Sequence, residues 1–185
     1  ARLPVQYVVR PNLNFRGFQG TLASGKLQVG DAIKVLPSGK TSSIKEIVTF
    51  NGNLDHAEAG QAITVTLNSE IDISRGDVIV PQSSSATVTN LIQAKLVWMH
   101  EEPLVLGKSY NIKLGSKNTS AVVKKIDHTI DVNTLEHGTA DSLQLNEIAI
   151  VTLELSETIL ADEYHNNHET GSFILIDRLS NLTVA

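Results

Sequence analysis

Residues Leu22 to Ser43 read LASGKLQVGDAIKVLPSGKTSS. Apolar Ile33 and Val35 flank Lys34, and turn-forming groups bracket the run: Ser24-Gly25, Gly30-Asp31 and Pro37-Ser38-Gly39. Alternation with period two places Ile33 and Val35 on one face of a strand. Glycine before aspartate turns a chain, because glycine accepts a positive φ without strain. The stretch therefore predicts strand, turn and returning strand. It also contains Gly39-Lys40-Thr41, the closing half of a phosphate-binding loop. That motif needs another glycine five positions earlier, so that backbone N–H groups can curl toward phosphate, and a helix afterwards. Lys34 stands at the glycine position, and the following SIKEIVTF shows no helical pattern. The string predicts a hairpin turn and no nucleotide site.

The same alternation recurs along the chain. Val5, Tyr7 and Val9 are expected to share one strand face, and Ile63, Val65 and Leu67 alternate with Thr64 and Thr66. Tyr110, Ile112 and Leu114 alternate with Asn111 and Lys113. Glu147 to Leu155 and Phe173 to Ile176 are apolar on both faces, which predicts fully buried strands. Helical patterns are few. Ile44, Ile47 and Val48 fit a helix face within a segment flanked by strands, and Glu136 to Ser142 and Glu157 to Tyr164 have room for one turn each. The polar, non-periodic run Pro81-Gln82-Ser83-Ser84-Ser85-Ala86 reads as a linker. The expected fold is all-β: a first barrel over 1–82, a linker over 83–88 and a second barrel over 89–185.

Composition excludes several classes of function. The 185 residues include no cysteine, so disulfides, thiolate catalysis and cysteine-ligated zinc are absent, which fits a reducing compartment. No apolar run approaches the roughly 18 residues of a membrane helix, and Ala1 to Pro11 lacks the apolar core of a signal segment. A cytoplasmic protein with no membrane partner is the expectation. The formal charge is −5, aromatic residues make up 4%, and lysine and arginine are scattered. Nucleic-acid binders gather positive charge on one face and supply stacking aromatics, so a nucleic-acid partner is disfavoured.

Other candidate chemistry is thin. Arg75-Gly76-Asp77 spells an adhesion tripeptide, but Ile71 and Ile73 precede it and Val78 to Val80 follow, so it reads as a turn between strands. His165 and His168, with Glu169, have the spacing of two ligands on a helix, yet Asn166-Asn167 and Gly171 favour an exposed loop. His100-Glu101-Glu102-Pro103 is not the zinc-protease order, and Pro103 opposes a helix. No nucleophile elbow of the form G-x-S-x-G occurs. The carboxylate pairs Asp72/Asp77 and Asp127/Asp131 carry little weight, and the sequons at Asn118 and Asn181 read as chance matches.

Resemblance adds what spacing cannot. LASGKLQVGDAIKVL, with its Val29-Gly30-Asp31 turn and the later Arg75-Gly76-Asp77-Val78, resembles the second-domain barrel of translation-factor GTPases. Longer segments are similar to the large, GTPase-bearing subunits of bacterial sulfate adenylyltransferases. These are VQYVVRPNLNFRGFQGTLASGKLQVGDAIKVLPSG, VTFNG, EIDISRGDVIV, KLVWMHEEPLVLGKSYNIKLGSK and FILIDRLSNLTV. The similarity runs from Leu3 to Val184. It implies two barrels like the second and third domains of elongation factor Tu.

The resemblance further implies a parent enzyme that makes adenosine 5′-phosphosulfate and pyrophosphate from ATP and sulfate, coupled to GTP hydrolysis. Its GTP and magnesium would belong to a G domain whose motifs do not occur between Ala1 and Ala185. The implied partners are that G domain and the small subunit of sulfate adenylyltransferase. The barrels would act as scaffold, interface and relay, and no catalytic, cofactor-binding or metal-ligating residue is assigned to them. The alternative reading is a translation GTPase whose barrels hold the aminoacyl end of tRNA. A third is a hydrolase built on the His165/His168 region.

Overall fold

Alternating side chains build sixteen strands and one helical turn across residues 1–185, all of which the computed structural model describes. In chain order the first strands are β1 (Leu3–Pro4), β2 (Tyr7–Asn12), β3 (Phe15–Thr21), β4 (Lys26–Gln28), β5 (Ala32–Leu36), β6 (Thr41–Thr49), β7 (Gly52–Leu54), β8 (His56–Glu58), β9 (Ala62–Leu67) and β10 (Val78–Pro81). Then come β11 (Val88–Val97), β12 (Ser109–Leu114), β13 (Lys117–Ile130), β14 (His137–Gly138), β15 (Ile148–Leu160), α1 (His168–Gly171) and β16 (Phe173–Ile176). Two compact units result. Unit 1 comprises Ala1–Val88, Gly115–Lys117 and Ile159–Ser172, and unit 2 comprises Thr89–Leu114, Asn118–Thr158 and Phe173–Ala185.

Unit 1 holds the opening stretch. Val29-Gly30-Asp31 turns the chain between β4 and β5, with Gly30 at φ +90 and the Asp31 carboxylate accepting the Gln28 N–H at 2.8 Å. Strands run in the order β1–β10–β5–β6–β9–β3–β2, with β7 added to β6 and a separate β4–β8 pair. The first strand closes the barrel by changing partners. Leu3 and Pro4 pair with β10, the Val5 N–H donates to Asp77 O, and then the Gln6 N–H donates to Gln19 O on β3. That handover separates Val5, which is fully buried, from Tyr7, which is 62% exposed. The two do not share a face as expected, because the strand breaks between them. Inside lie Leu3, Val5, Phe18, Leu22, Leu27, Ile33, Val35, Ile44, Ile47, Ile63, Val65, Ile73 and Ile79. Ile44 to Val48 belongs to β6 and not to a helix, since Ile44 and Ile47 both reach this core from a strand that bulges between Ile44 and Glu46.

The serine-rich run is tied down. Gln82 N–H donates to Ala32 O, Lys34 Nζ donates to Ser84 O at 2.6 Å, and an Arg2 N–H donates to Ser84 Oγ at 3.2 Å. Residues Ile159–Ser172 complete unit 1. Leu160 packs with Leu36, Val78 and Val80, and Arg2 pairs with Asp162 at 3.0 Å. Asp162 also accepts the Thr170 hydroxyl, and the Asn167 amide donates to Ser24 Oγ.

Unit 2 has the order β11–β15–β13–β12–β16, with β14 on β13. The last residues close it: Val184 N–H donates to Leu175 O on β16, and Met99 N–H, just past β11, donates to Val184 O. Along the Ile148 to Leu155 part of β15 the buried residues are Ala149, Val151, Leu153 and Leu155, while Ile148, Ile150 and Thr152 are half-buried. On β16 only Leu175 is buried, and Ile174 is exposed. These strands therefore bury one face, not two, as antiparallel barrel strands do when solvent reaches the outside. Glu136 to Ser142 contains β14 and not a helical turn, and Glu157 to Leu160 continues β15. The one α-turn is α1, where the Asn167 side chain accepts the Thr170 N–H.

Candidate docking cleft

A cleft of about 420 Å³ opens in unit 2, lined by Trp98, His100, Glu102, Pro103, Val105, Lys108, Tyr110, Asp177, Leu179, Ser180, Leu182 and Val184. Its floor is aromatic. Trp98 is held by backbone bonds to Glu147 and Asn146, and its ring meets the edge of Tyr110 at 5.8 Å between centroids and 74°. Both rings are buried, and both polar handles are used: the Trp98 indole N–H donates to Glu102 O at 2.8 Å, and the Tyr110 hydroxyl accepts the Val105 N–H. The loop His100-Glu101-Glu102-Pro103 thus supports an aromatic wall, and His100 Nδ1 accepts the Glu102 N–H.

One ion pair crosses the cleft. Lys108 Nζ donates to Asp177 Oδ1 at 2.9 Å and lies 5.3 Å from the centre of the Tyr110 ring. Asp177 also accepts the Leu179 N–H, the Ser180 N–H and the Ser180 hydroxyl, an Asx-type turn that orients the loop after β16. The Ser180 N–H, then Lys108, hold the Asp177 carboxyl far below the usual carboxylate range. The bond to Asp177 in turn holds the Lys108 ammonium above its ordinary value, against the effect of burial.

The polar groups of the cleft are committed to one another. A carboxylate held so low cannot take up a proton near neutral pH, and the Ser180 hydroxyl is committed to Asp177 with no histidine as its partner. The free capacity is apolar: Val105 and Leu182 are each 53% exposed and Leu179 is 93% exposed. Apolar groups beside a satisfied ion pair suit a docked protein segment.

The motifs singled out in the sequence do not assemble. Gly39-Lys40-Thr41 forms the hairpin turn from β5 into β6, with Gly39 N–H donating to Val35 O, and a strand rather than a helix follows. Arg75-Gly76-Asp77 turns the chain into β10, but irregular chain precedes it, not a strand: Ile71 to Ser74 lies outside every strand while Ile73 still enters the core. Asp72 meets Arg16 at 3.4 Å, and Asp77 accepts the Ser74 N–H. Asp127 accepts the Thr152 hydroxyl, whereas Asp131 caps its own loop through Asn133 and Thr134 N–H. His165 approaches Glu163 at 3.2 Å, and His168 stacks on Tyr164. No cluster of three or more histidine, aspartate or glutamate side chains is placed to hold a metal ion. No helix is long and apolar enough to cross a membrane.

Comparison with known proteins sets these barrels in a lineage. Residues 91–185 match the family described as GTP-eEF1A C-terminal domain-like, which is just over half of the chain. The chain belongs to that family. Residues 19–80 match elongation factor Tu domain 2. Along its full length the chain is 54% identical to "Sulfate adenylyltransferase subunit 1" of Saccharophagus degradans and 56% identical to the protein of that name from Shewanella oneidensis. It spans 39% of the length of each. The fold matches a crystal structure of sup35 complexed with GDP at TM-score 0.88 and 15% identity, over 99% of this chain and 45% of that one. The all-β reading, the pair of barrels and the resemblance to sulfate adenylyltransferase large subunits all stand.

Proposed function

We propose that this chain is the barrel portion of a sulfate adenylyltransferase subunit 1, and that it serves as scaffold, interface and relay without chemistry of its own. One observation carries the reading: identity of 52–56% to proteins of that name over essentially the whole chain. The remainder of such a polypeptide would supply the GTP and magnesium site. A second, small subunit would transfer the adenylyl group from ATP to sulfate, in the cytoplasm. A γ-phosphate-dependent switch upstream can bias a docking equilibrium that rigid barrels transmit.

The test uses the full-length polypeptide that contains this chain. Co-purified with the small subunit, it is expected to form adenosine 5′-phosphosulfate from ATP and sulfate, with GTP hydrolysis raising the yield. Failure to pair with the small subunit, together with GTP-dependent capture of aminoacyl-tRNA, would transfer the chain to the translation factors.

A further inference from the structure

Thirteen asparagines are spread along the chain, and only Asn51 is followed by glycine. Asn51 and Gly52 are exposed on the turn that leads from β6 into β7, where the Thr49 hydroxyl donates to Gly52 O at 2.8 Å. Gly52 has φ +117, and a Cβ built there would meet nothing within 4 Å. Two other asparagines precede a small or polar residue, Asn68-Ser69 and Asn167-His168. Both of those amides are held. Asn68 Nδ2 donates to Ser43 Oγ at 2.8 Å, and Asn167 caps α1 by accepting the Thr170 N–H while donating to Ser24 Oγ. The Asn51 amide has no such partner and faces solvent.

These differences bear on one reaction. An asparagine side chain is attacked at Cγ by the backbone nitrogen of the next residue when that nitrogen can reach it. A Cβ on the next residue obstructs the approach and narrows the backbone angles available; glycine imposes neither limit. Hydrogen bonds to the amide hold it away from the attacking nitrogen and must be broken first. Asn51 meets both conditions for attack, a following glycine and an unheld amide in open surroundings.

We propose that Asn51 is a site of spontaneous covalent modification through a succinimide. The Gly52 nitrogen gives up its proton to solvent and bonds to Asn51 Cγ. The Cγ–Nδ2 bond breaks, and the nitrogen leaves as ammonia with a proton returned from solvent. Water then opens the ring at either carbonyl, giving aspartate or isoaspartate and adding one negative charge to the chain's −5. The isoaspartyl product routes the main chain through Cβ, so the connection gains one carbon. That connection sets the pairing of Thr49 with Gly52, Val48 with Asn53 and Ile47 with Leu54. The longer link loosens β7 from β6 and lifts Leu54 from the barrel core it packs against. The inference is independent of the subunit reading.

Ageing the folded full-length polypeptide in warm neutral buffer, followed by peptide mass mapping, tests the site. The peptide bearing Asn51 is expected to lose its amide about tenfold faster than those bearing Asn68 or Asn167, a barrier lower by about 1.4 kcal/mol. More alkaline buffer should speed the loss, because the attacking nitrogen must shed its proton. Purified isoaspartyl carboxyl methyltransferase with a labelled methyl donor should label the same peptide, since ring opening yields both acids. Asn51→Gln should abolish that labelling, because its ring would be one atom larger; a circular dichroism melt checks that the variant is folded. Hydrogen exchange at Asn53 and Leu54 should quicken in the aged protein. Equal rates at the three asparagines overturn the proposal, as does aspartate formed without isoaspartate, and both are read on the parent protein alone. Unchanged exchange at Asn53 and Leu54 after full conversion overturns the loosening of β7.

Discussion

Gly30 carries a penalty that is purely conformational: its φ is +90, and a Cβ there would touch nothing within 4 Å. Gly30→Val should therefore lower stability by about 1–3 kcal/mol, and Gly30→Asn by less, because asparagine tolerates the left-handed region. Urea denaturation of the two variants measures the difference, and equal midpoints would contradict it. Asp177 supplies a pH dependence. Its carboxyl is depressed in the folded chain, so its stabilising bonds are complete above the ordinary carboxylate value of about 4 and are lost as pH falls further. Asp177→Asn should be less stable than the parent at neutral pH, with the gap narrowing below about pH 4; denaturation across that range reads it. The glycine turn was legible because a single residue dictates it. The Lys108–Asp177 pair was not, because 69 residues separate the partners. The signal that could have found it is Asp177 followed three positions later by Ser180, the pattern of a side-chain-capped turn.

Among the elements, alternation with period two located β5, β9 and β12, since an antiparallel strand that buries one face must alternate, and apolarity on both faces located β15 and β16. It overstated the burial of β15 and β16, because isoleucine and threonine are also favoured on exposed strand faces for their fit to the pleated backbone. The handover at Gln6 escaped it altogether, as a change of partner leaves no mark in local hydropathy. That seam is tight: a Cβ on Gly20 would lie 2.2 Å from Pro4 O, a backbone atom that cannot rotate away. Gly20→Ala should open the junction of β1 with β3, at a cost in the overpacking range of about 1–3 kcal/mol or more. Hydrogen exchange should quicken at Val5 and Gln6 in that variant while Trp98 and Val184 stay protected. Parent-like exchange at Val5 would show that the seam relaxes.

At the scale of the whole molecule, barrel architecture was readable from turn spacing, whereas the proposed function rests on similarity along the full chain. The Gly39-Lys40-Thr41 hairpin gives a direct expectation: GTP with magnesium should leave the melting temperature of this chain unchanged. Saturation at a hundred times Kd would otherwise add about 2.7 kcal/mol, and an upward shift of that size in a thermal melt would contradict the reading. The dependence of unit 1 on Ile159–Ser172 also bears on biosynthesis. A ribosome that has just released Val88 has made every strand of the first barrel, yet Asp162, Thr170 and Leu160 are still unmade. At ordinary translation rates they arrive on the order of 10 s later. Through that interval Arg2, Leu36 and Val80 wait without their partners. Nascent chains arrested shortly after Val88 should be cut readily by protease near Ala1 and Ser84, and become resistant there once Ser172 has cleared the exit tunnel.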